Sequence, residues 1–151
     1  MKQVHVECLP DEALIKKLGF ARKSVKHHAG KSRVFNTLKS VSNQLALVDE
    51  DPGSAKSDYE KKLKLLDEIQ GIKLCSDNSG NKILILKGKL EDWIVSLCLK
   101  ADIKLKDFSL PEKPNDLHDV INQRISKFEE LIDYLLENNN MEITQLKRWL
   151  N

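Results

Sequence analysis

Several things are missing from this chain of 151 residues, and each absence removes a class of protein. No run of about eighteen apolar residues occurs, so no helix is expected to span a membrane. The opening residues Met1-Lys2-Gln3-Val4-His5 lack the long apolar stretch of a signal peptide, and a cytoplasmic protein is expected. Cysteine is scarce: Cys8, Cys75 and Cys98 lie far apart, are odd in number and form no Cys-x-x-Cys pair. That argues against zinc or a disulfide framework and for buried thiols in a reducing compartment. There is no internal repeat and no low-complexity tract, which excludes repeat arrays and compositionally biased segments. A large charge excess is absent too. With 25 basic against 23 acidic residues the formal net charge is +2, too little to announce a nucleic-acid binder.

What is present fits a folded α/β chain. A hydrophobic content of 40% is enough for a proper core at this length, and 32% charged residues suit a solvated surface. The charge is unevenly spread. Residues 22–39 carry Arg22, Lys23, Lys26, Lys31, Arg33 and Lys39, with His27 and His28, and no acid at all. Such a block either solvates one face or binds a polyanion.

Strand and helix signals alternate through about residue 100, the pattern of a doubly wound sheet. Residues 3–8 have the period of a half-buried strand, and residues 24–28 make a weak second one. Leu45 to Val48 is continuously apolar, as in a central parallel strand covered on both faces. Ile72-Lys73-Leu74 and Ile83 to Leu86 are two further strands. Between them, helices are predicted from Asp11 to Gly19, from an N-cap at Ser32 through Val41, from Tyr59 through Ile69 to a stop at Gly71, and from Leu90 through Cys98.

A stiff connector, Leu110-Pro111-Glu112-Lys113-Pro114, then divides an α/β domain over residues 1–108 from a helical extension over residues 115–151. The extension predicts one helix over residues 116–137, about 33 Å long at 1.5 Å per residue. Its narrow seam is Ile121, Ile125, Phe128, Ile132 and Leu135, and a short helix closes the chain after Asn138-Asn139-Asn140. The seam either packs on the chain's own sheet or docks a second chain, as a homodimer or as a separate partner.

The chemistry concentrates after two of the apolar runs. Glu7 follows the first, and Asp49 and Asp51 follow the third, within Val48-Asp49-Glu50-Asp51-Pro52. In an open parallel sheet, ligands bind beyond the carboxyl ends of the strands, so these acids are expected in one crevice. Residues two apart in an extended segment share a side, which lets Asp49 and Asp51 grip one ion while Glu50 faces away. Clustered carboxylates repel unless a cation shares their charge, and hard oxygen ligands suit Mg2+ or Mn2+. The alternative is that Asp49 merely ends a strand and Asp51 opens a Pro-Gly turn. Glu91, at the start of a helix, is either a functional acid or compensation of the helix dipole. Asp11 has the same two readings, with a cap foremost.

Gly30-Lys31-Ser32 is not a P-loop, because the required first glycine would fall on Val25. Lys31 and Arg33 remain candidates to bind phosphate where a strand ends and a helix begins. His27 and His28 read as passive loop residues, Tyr59 and Tyr134 as helical core positions, and Trp93 and Trp149 as packing.

Val-Glu-x-x-x-Asp-Glu at residues 6–12 and Val-Asp-x-Asp at residues 48–51 resemble the two motifs of the Toprim domain family. That family includes bacterial primases, topoisomerases and OLD-type nucleases, and the resemblance covers roughly residues 1–100. It implies a small four-stranded parallel core with a glutamate after the first strand and an Asp-x-Asp after the third. It implies a nucleic-acid phosphodiesterase, a nuclease acting on DNA or RNA with Mg2+ or Mn2+. Glu7 would act at the reacting phosphate or as a ligand, Asp49 and Asp51 would hold the metal, and Glu91 would help hold a second ion. The family's glycine after the glutamate is Cys8 here, which narrows the space for phosphate. Such domains usually work beside an ATPase or DNA-binding module, so a separate partner is implied. The competing expectation is a non-catalytic Toprim-like subunit that keeps the acidic pocket and only docks nucleic acid or a partner protein. A receiver-like phosphoacceptor is a third, disfavoured because its acids would be adjacent after the first strand.

Overall fold

Leu45–Asp49 has no polar residue before its last position, and it forms the strand β3 near the middle of a six-stranded sheet. The computed structural model describes residues 2–151. The remaining strands are β1 (Val4–Val6), β2 (Val25–His27), β4 (Lys64–Ile69), β5 (Ile72–Ser76) and β6 (Lys82–Leu86), in the spatial order β2-β1-β3-β6-β5-β4. The four strands β2, β1, β3 and β6 are parallel; β5 runs antiparallel to them, and the edge strand β4, antiparallel to β5, runs in their direction again. The fold is therefore α/β with a mixed sheet. Val6, Leu47 and Leu84 lie in register, so Glu7 and Asp49 leave the sheet at the same edge.

Alternation along the strands divides the interior into two layers, as a sheet covered on both faces requires. Val4, Val6, Leu45, Leu47, Leu84 and Leu86 face the larger core. It is closed by the helices α1 (Leu9–Lys17), α4 (Leu90–Lys100), α5 (Pro114–Val120), α6 (Ile125–Glu137) and α7 (Met141–Leu150). Ala46, Val48, Ile83 and Ile85 face a smaller core against Val34, Phe35 and Leu38 of α2 (Lys31–Leu38). Tyr59, on the one-turn helix α3 (Asp58–Lys61), packs there too.

Two expectations fail. The helix over residues 59–69 ends after a single turn, and residues 64–69 become the edge strand β4 of a hairpin with β5. Gly71, read as a helix stop, instead takes φ +105° in the tight hairpin turn. A left-handed glycine serves either structure, and the pairing of Ile69 with Ile72 decides between them. The helix over residues 116–137 is also broken, by a 3-10 turn at Ile121–Gln123 and by Arg124 at φ −128°, ψ 36°. The break lets α5 pack on α4 while α6 packs on α1. The seam is consumed inside the chain: Ile121, Phe128, Ile132 and Leu135 are buried in the larger core, and Ile125 packs against it. The two segments divided at the connector thus share one core, and a homodimer or partner would have to use another surface. No helix among the described residues is long and apolar enough to cross a membrane.

Candidate functional site

The parallel strands end in four loops that surround one cavity of about 520 Å3. Glu7 and Cys8 enter it after β1, Ala29 to Ser32 after β2, Asp49 and Asp51 after β3, and Lys89 and Glu91 after β6. The tail completes the wall through His118, Ile121 and Asn122. Glu7, Asp49, Asp51, Glu91 and Lys31 are therefore brought together, as the sequence leads one to expect. Arg33 is not. It is exposed on the outer side of α2 and does not line the cavity.

Glu7 closes the gap between the two acidic loops, since its Oε1 accepts the Asp49 amide at 2.8 Å. Burial pushes the Glu7 carboxyl above its usual range, against the pull of that amide and of Lys31. Asp49 is pushed further, up to about 7, by burial and then by the charges of Glu7 and Glu91. The Leu90 amide at the start of α4 and Lys31 pull it back only in part. Asp49 Oδ1 is buried and has no hydrogen-bond partner among the described residues.

Asp11 is the residue whose role the sequence misjudged. It does not cap a helix: α1 begins at Leu9, and Asp11 is completely buried in its first turn. Neither carboxylate oxygen has a hydrogen-bond partner among the described residues, although the Cys8 thiol and the Glu7 backbone lie close enough to favour the charged form. Burial, then Asp49, then Glu7 raise its carboxyl well above the ordinary range. Burial and Asp11 likewise push the Cys8 thiol up, so it is held neutral.

Asp51 departs from the expected geometry. Its φ is +48°, a left-handed conformation, so the extended alternation that would pair it with Asp49 stops one residue early. Its Oδ2 accepts the Ser54 hydroxyl at 2.7 Å, as a turn-opening aspartate does, while the residue still lines the cavity. Glu50 does face away, toward Lys73 at 3.1 Å. Lys31 is more firmly held than a free phosphate ligand: its Nζ donates to the carbonyls of Asp49 and Glu50 at 3.0 and 2.9 Å and lies 3.4 Å from Glu60. It stands at the start of α2, whose N-cap is Gly30 at φ +100° rather than Ser32.

Glu91 is buried at the start of α4, and its Oε1 is 3.1 Å from His118 Nδ1. His118 and Asn122 come from a segment assigned to the separate extension, and nothing in their sequence context marks them as part of a site.

The donor set is chemically right for a hard divalent cation, and buried carboxylate oxygens without partners are what such an ion would satisfy. Among the described residues, however, no three His, Cys, Asp or Glu side chains are placed to share one ion. Ion capture would require the carboxylates to draw closer. No protein-family model, curated protein or solved structure matches the chain.

Proposed function

We propose that the chain is a metal-dependent nucleic-acid phosphodiesterase of Toprim-like character, working through the cavity at the carboxyl edge of its parallel strands. The observation that carries this reading is the mutually repelling set of half-buried Glu7 and Asp49 and fully buried Asp11, in which both Asp11 oxygens and the sealed Asp49 Oδ1 have no hydrogen-bond partner among the described residues. A protein that needs only stability has no use for three such groups, since an uncompensated buried charge costs several kcal/mol. The four parallel strands, with a glutamate after the first and Asp-x-Asp after the third, support the Toprim likeness.

In this reading Glu7, Asp49 and Asp51 hold Mg2+ or Mn2+, with Asp11 and Glu91 as further oxygen donors. The ion supplies Lewis-acid activation of water and neutralises charge on the phosphate. Lys31 fixes the end of β3 through its two carbonyl bonds and adds positive charge beside the acids. The amides at the start of α2 favour a phosphate at the same rim. The buried walls strengthen each of these electrostatic interactions.

A second reading has a specific observation in its favour. The absence among the described residues of three ready ligands, with Cys8 in place of glycine, fits a non-catalytic subunit that binds nucleic acid or a partner protein and leaves chemistry to a separate ATPase-containing system. Incubation of the purified chain with Mn2+ and DNA or RNA separates the two. Cleavage that Glu7→Gln and Asp49→Asn abolish in folded protein supports the phosphodiesterase. Manganese binding without cleavage of any substrate supports the binding subunit.

A further inference from the structure

The basic block in the sequence is not used by the cavity except through Lys31, and its placement is informative. β2 is an edge strand that, among the described residues, pairs with β1 and has no strand on its outer side. Arg22 and Lys23, on the 3-10 turn that leads into it, and Lys26, within it, are all exposed. No acid occurs between residues 22 and 39, and these three side chains form no ion pair among the described residues. The nearest acid–base contact on the strand is His27 with Glu12 at 3.7 Å. The far edge of the sheet differs, since β4 carries exposed Asp67 and Glu68.

The direction of β2 matters as much as its charge. The chain runs from Arg22 along the edge and continues directly into Ala29 to Ser32, one wall of the cavity. At about 3.3 Å per residue the segment from Arg22 to Lys31 covers at most about 30 Å, enough to follow several successive phosphates. A membrane is a poorer occupant of this surface, because interfacial binding needs apolar side chains to insert. None of the exposed large hydrophobic residues falls between residues 21 and 39.

We propose that the outer edge of β2, through Arg22, Lys23 and Lys26, is the track on which a nucleic-acid backbone lies as one of its phosphates enters the cavity. This rests on the nucleic-acid reading above and adds the path by which the substrate arrives. The test is fluorescence anisotropy of a short labelled DNA duplex and its RNA counterpart in EDTA, so that binding is read without metal or cleavage. Wild-type protein is compared with Arg22→Gln/Lys23→Gln/Lys26→Gln. The control, Lys104→Gln/Lys106→Gln/Lys113→Gln, makes the same change of net charge at exposed positions among Asp102, Asp107 and Glu112.

Three lost phosphate contacts lower the salt slope by about 2.7, so between about 50 and 200 mM salt the wild type should lose roughly 40-fold more affinity than the β2 variant. The control should keep the wild-type slope. Equal loss in both variants, or no loss in either, overturns the track while leaving nucleic-acid binding intact. No binding by the wild type to any nucleic acid overturns the reading on which the track rests. Binding to anionic vesicles but not to nucleic acid, lost in the β2 variant, overturns the choice of partner.

Discussion

Replacing Asp49 by Asn should stabilise the metal-free protein, most strongly at neutral to alkaline pH. Asp49 is half-buried with its Oδ1 sealed from solvent, and burial and then the charges of Glu7 and Glu91 raise its carboxyl from 3.8 to about 7. A carboxyl with a raised folded-state value binds more protons folded than unfolded, so stability falls as pH rises between the two values. The slope is about 1.36 kcal/mol per pH unit. From about pH 5 to about pH 7 the wild type should lose about 2.7 kcal/mol through this group, with little further loss above. Asn has nearly the same shape and no charge to bury, so this loss disappears. For a chain of this size the difference amounts to roughly 5–10 °C in Tm. Thermal melts of both proteins in EDTA, at about pH 5 and about pH 8, measure it directly. The wild type should melt well below the variant at the higher pH, and the gap should narrow at the lower one. Saturating Mn2+ should raise the wild type by up to about 2.7 kcal/mol at a hundredfold excess over Kd and leave the variant unmoved. A variant less stable than wild type at both pH values would refute the reasoning, because Asp49 would then be a satisfied structural acid.

Lys31→Met should destabilise the fold by roughly 1–3 kcal/mol, since it removes two charged-donor hydrogen bonds to the carbonyls of Asp49 and Glu50 and leaves the buried Glu60 without its cation. The same change should extend the pH-dependent loss to higher pH, because Lys31 lowers both Glu7 and Asp49; titrated chemical denaturation reads both effects. Glu7→Gln, predicted to abolish cleavage, should not cost stability at about pH 8, because the amide oxygen can still accept from Asp49 N–H; an intact melt would separate lost chemistry from lost structure.

The parts of the fold legible in the sequence are those set by burial on both faces. Leu45 to Val48 and Ile83 to Leu86 have no polar face, and both became central strands. The segment 59–69 was not legible, because Tyr59, Leu63, Leu66 and Ile69 satisfy a helical period, yet Leu65 and Leu66 end up exposed on an edge strand. There the hairpin partner, not the pattern, chose the structure. At the site, Glu7 and Asp49 were legible because strand ends are. Asp11 was misread because capping statistics describe exposed first turns, and only the packing of α1 on the sheet shows that this turn is sealed. His118 and Asn122 depended on a break in the tail that no proline or glycine announces.

That break also bears on whether residues 1–108 can stand alone. The tail contributes Leu117, Phe128, Leu131, Ile132, Leu135 and Leu146 to the larger core, each at 0% exposure. At about 1.5–3 kcal/mol for each buried side chain, these six supply roughly 9–18 kcal/mol of gross burial. A domain's whole net stability is about 5–15 kcal/mol. Deletion also bares the apolar faces of α1 and α4 and opens the cavity wall at His118 and Ile121. The fragment 1–108 should therefore be unfolded or aggregated, with no cooperative thermal transition and no manganese-induced stabilisation. Supplying residues 109–151 as a separate chain should restore both, because the missing core would return without a covalent link. A cooperative melt of the fragment by itself, at a temperature near that of the full chain, would show that the tail is a dispensable appendage and that its part in the cavity is incidental.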